Sequence, residues 1–105
     1  MPSTLSQLGR FLEPALLILV SVAGRPKHGY AIMEEIESRW DVRLGPGTLY
    51  AALARLEKRG LVEPLDTEDR KRPYRLTPAG SEALAAQLGQ LQEVAATGLQ
   101  RLGLT

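Results

Sequence analysis

Apolar positions along the 105-residue chain change their period twice, and each change predicts a new kind of element. Leu5, Leu8 and Leu12 share one helical face, which predicts a short leading helix over residues 3–12. From Ala15 to Ala23 every residue but Ser21 is apolar or small. Pro14 suits the first turn of a helix, where a missing N–H costs nothing, so a second helix runs to about Val22. Being apolar nearly all round, it belongs at the centre of the core. Gly24 to Lys27 form a turn. Residues 28–39 then alternate at helical spacing, with Ile32, Met33 and Ile36 inward and Glu34, Glu35, Glu37 and Arg39 outward. Glu35 and Arg39 stand four apart, a favourable pair. After a short connection, another helix runs from about Pro46 to Lys58, with Gly60 as its stop.

Beyond Gly60 the period falls to two. Leu61–Leu65 and Arg72–Leu76 read as short strands joined by the polar loop Asp66–Lys71. Pro64 and Pro73 mark the pair as an edge-like ribbon rather than part of a central sheet. Thr77-Pro78 supplies an N-cap and a first-turn proline for a last helix to about Leu102. The chain is thus mainly α with a small two-stranded β wing. Helices, a hairpin and a long final helix in this order follow the winged helix-turn-helix plan.

The helix from Pro46 divides into two faces at 100° per residue. Leu49, Leu53 and Leu56 cluster with Ala52 beside them, and this face buries. Thr48, Ala51, Arg55 and Arg59 lie about a right angle away, with Lys58 at their edge. A helix that reads a DNA groove needs this division. Small residues near its start permit close approach, Thr48 can bond a base or a phosphate, and Arg55 can bridge to guanine or phosphate. The helix start after Gly45-Pro46-Gly47 also offers free N–H groups to a phosphate. An ordinary amphipathic helix with a solvated basic face is the competing reading. Arg70-Lys71-Arg72 in the hairpin loop adds weight to the first, although Glu68 and Asp69 beside it weaken the local field.

Net charge is only +1, so its distribution matters more than its sum. Residues 39–75 hold nine Lys/Arg against six Asp/Glu, whereas both ends of the chain carry a slight acidic excess. That asymmetry points to a polyanionic partner, double-stranded DNA above all. The chain has no cysteine, which excludes disulfides, thiol catalysis and zinc-finger ligation and suits a cytoplasmic location. The single histidine, His28, reads as a turn or capping residue and not as a metal ligand. No catalytic constellation and no phosphate-binding glycine loop is present, so neither an enzyme nor a cofactor is expected. Ala15–Ala23 is read as a core helix and not a secretory leader, because Glu13 and Pro14 interrupt its approach. It is also far short of the roughly 20 apolar residues of a membrane span.

Residues 28–80 resemble the PadR-like transcriptional regulators. His28-Gly29-Tyr30 is similar to the motif that opens the family's second core helix. GPGTLYAALARLEKRGLVEP, residues 45–64, resembles its recognition helix and the start of its wing. RKRPYRLTPAG, residues 70–80, resembles the returning wing strand and the start of the C-terminal helix. The resemblance implies a homodimeric DNA-binding protein, usually a repressor, in which the tyrosine matching Tyr50 grips the DNA backbone. By geometry Tyr50 falls off the Thr48/Arg55 arc, and a structural role in the core competes with a flank contact. Gly45 stands where the family often has a serine cap, and the wing tip lacks the usual glycine. Some family members bind flat hydrophobic effectors. Trp40 is the candidate for such a contact here, although a lone Trp at a helix end more often staples a turn to the core.

Leu84, Leu88, Leu91, Ala95, Gly98 and Leu102 recur at alternating spacings of four and three, a heptad-like stripe. A helix of about 25 residues is about 37 Å long, more than one small domain can cover. Its distal part is expected to pair with another chain, with Leu84, Leu88, Leu91, Ala95 and Leu102 at the dimer interface. Residues 1–77 are then the DNA-binding unit and residues 78–105 the dimerisation helix. The expected DNA contacts are Thr48, Tyr50, Ala51, Arg55, Lys58, Arg70, Lys71 and Arg72. The expected function is a dimeric repressor on a two-fold operator, open to a small hydrophobic effector. A winged helix that binds an acidic protein instead of DNA is the alternative.

Overall fold

The computed structural model describes residues 13–67 and 72–105. The predicted leading helix with Leu5, Leu8 and Leu12 lies outside these residues, as do Arg70 and Lys71. Helix α1 (Pro14–Gly24) is followed by α2 (Gly29–Trp40) and α3 (Pro46–Lys58). A hairpin of β1 (Val62–Pro64) and β2 (Tyr74–Leu76) leads into α4 (Pro78–Arg101). Fold class and element order match the expectation. The strands are shorter than predicted, three residues each: beyond Pro64 the Leu65 N–H still donates to the Pro73 carbonyl at 2.8 Å, but Pro73 has no N–H to return the bond.

Helix α1 occupies the centre, touching α2, α3, β2 and α4. Leu17, Ile18, Leu19 and Val22 of α1 pack on Ile32 and Ile36 of α2 and on Leu49, Ala52, Leu53 and Leu56 of α3. Val62 and Leu84 close the core from the hairpin and from α4. Each such aliphatic side chain contributes about 1.5–3 kcal/mol on burial, so the three helices hold one another through a single apolar cluster. Trp40, half-buried at the end of α2, packs against the same cluster. Helix α2 stops at Asp41, whose backbone is left-handed at φ 55° and whose N–H returns to the Glu37 carbonyl.

The wing is antiparallel, pairing Val62 with Leu76, Glu63 with Arg75 and Pro64 with Tyr74. Its far edge is not free. Lys27, read above as part of a turn, exchanges both backbone hydrogen bonds with Tyr74, at 3.1 and 2.8 Å. The turn between α1 and α2 therefore adds a third strand-like rung to the ribbon and ties the wing to the helices.

Thr77 joins the hairpin to α4. Its Oγ1 donates to the Gly60 carbonyl at 2.6 Å and accepts from the Gly80 N–H at 2.9 Å. Its own N–H donates to the Leu61 carbonyl at 3.1 Å. Gly80 sits directly under this knot. A Cβ there would lie 2.0 Å from the Leu61 carbonyl oxygen and 2.8 Å from Leu76 Cδ1. The close approach of α4 to the hairpin thus depends on a residue without a side chain.

Candidate nucleic-acid interface

Helix α3 presents its faces as its sequence pattern predicts. Leu49, Ala52, Leu53 and Leu56 are buried, whereas Thr48, Tyr50, Ala51, Arg55, Lys58 and Arg59 are exposed. Gly47 and Ala54 lie on the same exposed arc and were missed by residue-type reasoning. Both are small, and a Cβ on Gly47 would meet nothing within 4 Å. The outer face is therefore low at its start and cationic at its end, the relief that a groove-reading helix requires. Gly45 caps the helix with no side-chain hydrogen bond, and Pro46 follows at its first position. The N–H groups of the first turn remain available for an anion.

The basic residues fall into two groups. Lys27 and Arg39 are ion-paired with Glu35, Arg43 with Glu37, and Arg75 with Glu63. Arg55 and Lys58 of α3, Arg59 at its cap, Arg72 before β2, and also Arg25 and Arg101, make no ion pair with another described residue. Apart from Arg25 and Arg101, the unneutralised positive charge among the described residues thus gathers on the recognition helix and the returning arm of the wing. Arg75, although in the wing, is committed across the ribbon, its Nε donating to Glu63 Oε1 at 3.0 Å.

Tyr50 is half-exposed, and its ring lies over the first turn of α2. A Cβ on Gly29 would sit 2.5 Å from the Tyr50 hydroxyl oxygen and 2.8 Å from Cζ. Tyr74 stands nearby. Burial pushes its hydroxyl pKa above the ordinary value, Glu57 and Tyr50 add to the rise, and Arg72 opposes it. Tyr50 therefore belongs to a seam among α2, α3 and the wing, beside the Thr48/Arg55 arc and not on it.

A polar cluster that sequence reasoning missed lies behind this face. Ser21, 1% exposed, donates from Oγ to Glu35 Oε1 at 2.6 Å. Lys27 Nζ donates to the same oxygen at 2.8 Å and to the Ser21 carbonyl. Arg39 Nε donates to Glu35 Oε2 at 3.2 Å, the pair expected from spacing. The bond from Lys27, then that from Ser21, holds the Glu35 carboxyl at a pKa of about 2 against burial, which acts the other way. Trp40 walls an adjoining cleft of about 230 Å3 together with Ser21, Lys27, Glu35 and Arg39. The charges lining it already satisfy one another.

One expected interface residue is reassigned. Leu84, placed at a contact between chains, is 5% exposed and belongs to the domain's own core. The stripe is free only beyond it. Leu88, Leu91 and Leu102 are 42, 39 and 73% exposed. Leu99, absent from the expected set, falls on the same face and is 42% exposed. Among the described residues no cluster of His, Cys, Asp or Glu could hold a metal, and no helix is long and apolar enough to cross a membrane.

Three helices around one core, an exposed helix with unpaired cations and a tethered ribbon define a winged helix-turn-helix protein of the DNA-binding kind. The chain belongs to the PadR-like family of transcriptional regulators, which matches residues 18–86. Members of this family bind DNA and regulate transcription; they are not enzymes. The chain is 42% identical over 83 residues to the transcriptional regulator Rv3488 of Mycobacterium tuberculosis, covering 76% of this chain and 77% of that one. It is 55% identical over 72 residues to a 37.1 kDa protein in transposon TN4556 of Streptomyces fradiae. That match takes in 69% of this chain but only 21% of the transposon protein, so the shared part is a fraction of the longer molecule. The fold resembles that of a PadR family transcription regulator from Clostridium difficile R20291, with a TM-score of 0.77 at 23% identity over 90% of this chain and 99% of that chain.

Proposed function

We propose that the chain is a sequence-specific repressor that acts as a homodimer on a two-fold operator. The observation that carries this reading is the separation of the cations. Lys27, Arg39, Arg43 and Arg75 are neutralised by carboxylates, while Arg55, Lys58 and Arg59 stand together without an ion pair on the outer face and at the end of an exposed helix. Thr48, Ala51 and Arg55 face the base edges. Tyr50 and Lys58 flank them toward the phosphates, and Arg70, Lys71 and Arg72 follow the backbone from the wing. Two copies joined through the distal half of α4 by Leu88, Leu91, Ala95 and Leu102 would present their recognition helices about 34 Å apart, or a multiple of that, on one DNA face. A small flat hydrophobic effector enters the reading through the family resemblance alone. Trp40 is the residue whose fluorescence would report one.

Binding of the purified protein to the DNA upstream of its own gene, followed across salt concentrations, tests the proposal. Affinity should fall by orders of magnitude between about 50 and 200 mM salt, since each phosphate contact releases counterions. Arg55→Ala should cost about 1–3 kcal/mol of binding and relax the preference at one base pair. A protein that shifts no duplex at low salt, yet retains an acidic protein partner, would replace this reading with that of a protein-interaction module.

A further inference from the structure

Two of the described glycines, Gly29 and Gly80, sit where an added Cβ would collide with a neighbour. Gly80 is explained by the packing of α4. Gly29 is not explained by its backbone. It lies in the first turn of α2 with no left-handed φ, where alanine would be the better helix former. What excludes a side chain there is the Tyr50 ring, whose hydroxyl oxygen, Cζ and Cε1 would lie 2.5, 2.8 and 3.0 Å from the added atom. The ring is otherwise half-exposed, so this seat is a main restraint on it.

We propose that Gly29 is a positioning residue for DNA binding: its missing side chain forms the seat that holds the Tyr50 ring against α2, and the seated ring sets the affinity of the recognition face. Gly29 acts through Tyr50 and touches no DNA. Without the seat, a ring carried by α3 must swing outward toward the Gly47 and Ala54 edge of the exposed face, or α3 must tilt away from α2. Either movement spoils the fit to a duplex without altering the cations. The proposal rests on the DNA-binding reading above.

The test compares the parent chain with Gly29→Ala, Tyr50→Ala and the double variant, by thermal unfolding and by titration of a fluorescent duplex carrying the upstream DNA. Gly29→Ala should lower Tm by about 5 °C, the shift of roughly 1 kcal/mol in a domain of this size. It should weaken DNA binding about tenfold while leaving the slope of affinity against salt unchanged, because Arg55, Lys58 and Arg59 are untouched. A general loss of structure would lower that slope as well. In the Tyr50→Ala background the added methyl meets no ring, so the double variant should match Tyr50→Ala in affinity and have a Tm no lower than that of Tyr50→Ala. That comparison stands even if Gly29→Ala alone proves too unstable to purify. Additive losses in the double variant, or parent-like DNA binding by Gly29→Ala, would overturn the proposal. A parent chain that binds no duplex would instead overturn the function on which it rests.

Discussion

Ser21 interrupts an otherwise apolar run, and its position in the molecule explains why. Buried in the last turn of α1, it meets the Glu35 carboxylate and the Lys27 ammonium, which reach it from α2 and from the turn. Nothing within α1 announces this. Spacing along a helix reveals the Glu35–Arg39 pair, but a bond spanning fourteen residues depends on how the helices pack. The same holds for Tyr50: helical angles put it off the reading arc, yet only packing shows what it rests on. The cluster has a consequence in acid. Glu35 is held at about 2 when folded against 4.5 as its ordinary value. Its contribution to stability is therefore complete above about pH 5 and is lost as pH falls toward 2. Glu35→Gln should lower Tm at pH 7 and flatten the decline of Tm between pH 5 and 2. A variant whose acid profile matched the parent's would show that other carboxylates govern it.

Among the elements, α3 could be read from its sequence to the residue at both ends, because proline, glycine and a clean leucine face all mark it. The strands were harder. Alternation suggested five residues each, and the ladder holds three, with Pro73 unable to donate the next bond. Their far edge was unreadable, since Lys27 joins the ribbon from another part of the chain through backbone atoms alone. Leu84 was legible as apolar and helical but not as intrachain, because a heptad stripe does not say where a helix leaves its own domain. The junction with α4 yields a sharp expectation. Gly80→Ala drives a Cβ into the Leu61 carbonyl and should cost roughly 3 kcal/mol, at the upper end of overpacking. Urea unfolding would measure it, and a loss below about 0.5 kcal/mol would mean that the hairpin yields easily. By contrast, Gly47→Ala, with nothing near the new atom, should leave stability intact.

At the scale of the molecule, shape carries the argument. The chain extends 54 Å along its longest axis against 29 and 20 Å across, because α4 outruns the domain that anchors it. Beyond Leu84 no residue of α4 is buried, and Leu88, Leu91, Leu99 and Leu102 line one exposed face. Leu91→Glu with Leu99→Glu should convert a dimer into monomers in sedimentation experiments. The Tm at high dilution, where the parent is also dissociated, should stay the same. A parent chain that is monomeric at every concentration would remove the two-fold operator from the functional reading.

The knot at Thr77 and Gly80 makes α4 a lever. Its 24 residues span about 36 Å, so a tilt of about 5° at the pivot displaces the far end by about 3 Å. Were two such levers clasped at their far ends, the same tilt would be returned to the two DNA-reading heads as a change in their separation. The closest contact at the pivot is a glycine pressed on a backbone carbonyl, which cannot adjust by rotating a side chain. Anything that wedges the hairpin from α4 by even the width of a methyl group would therefore retune the distance between half-sites without touching a residue that faces DNA.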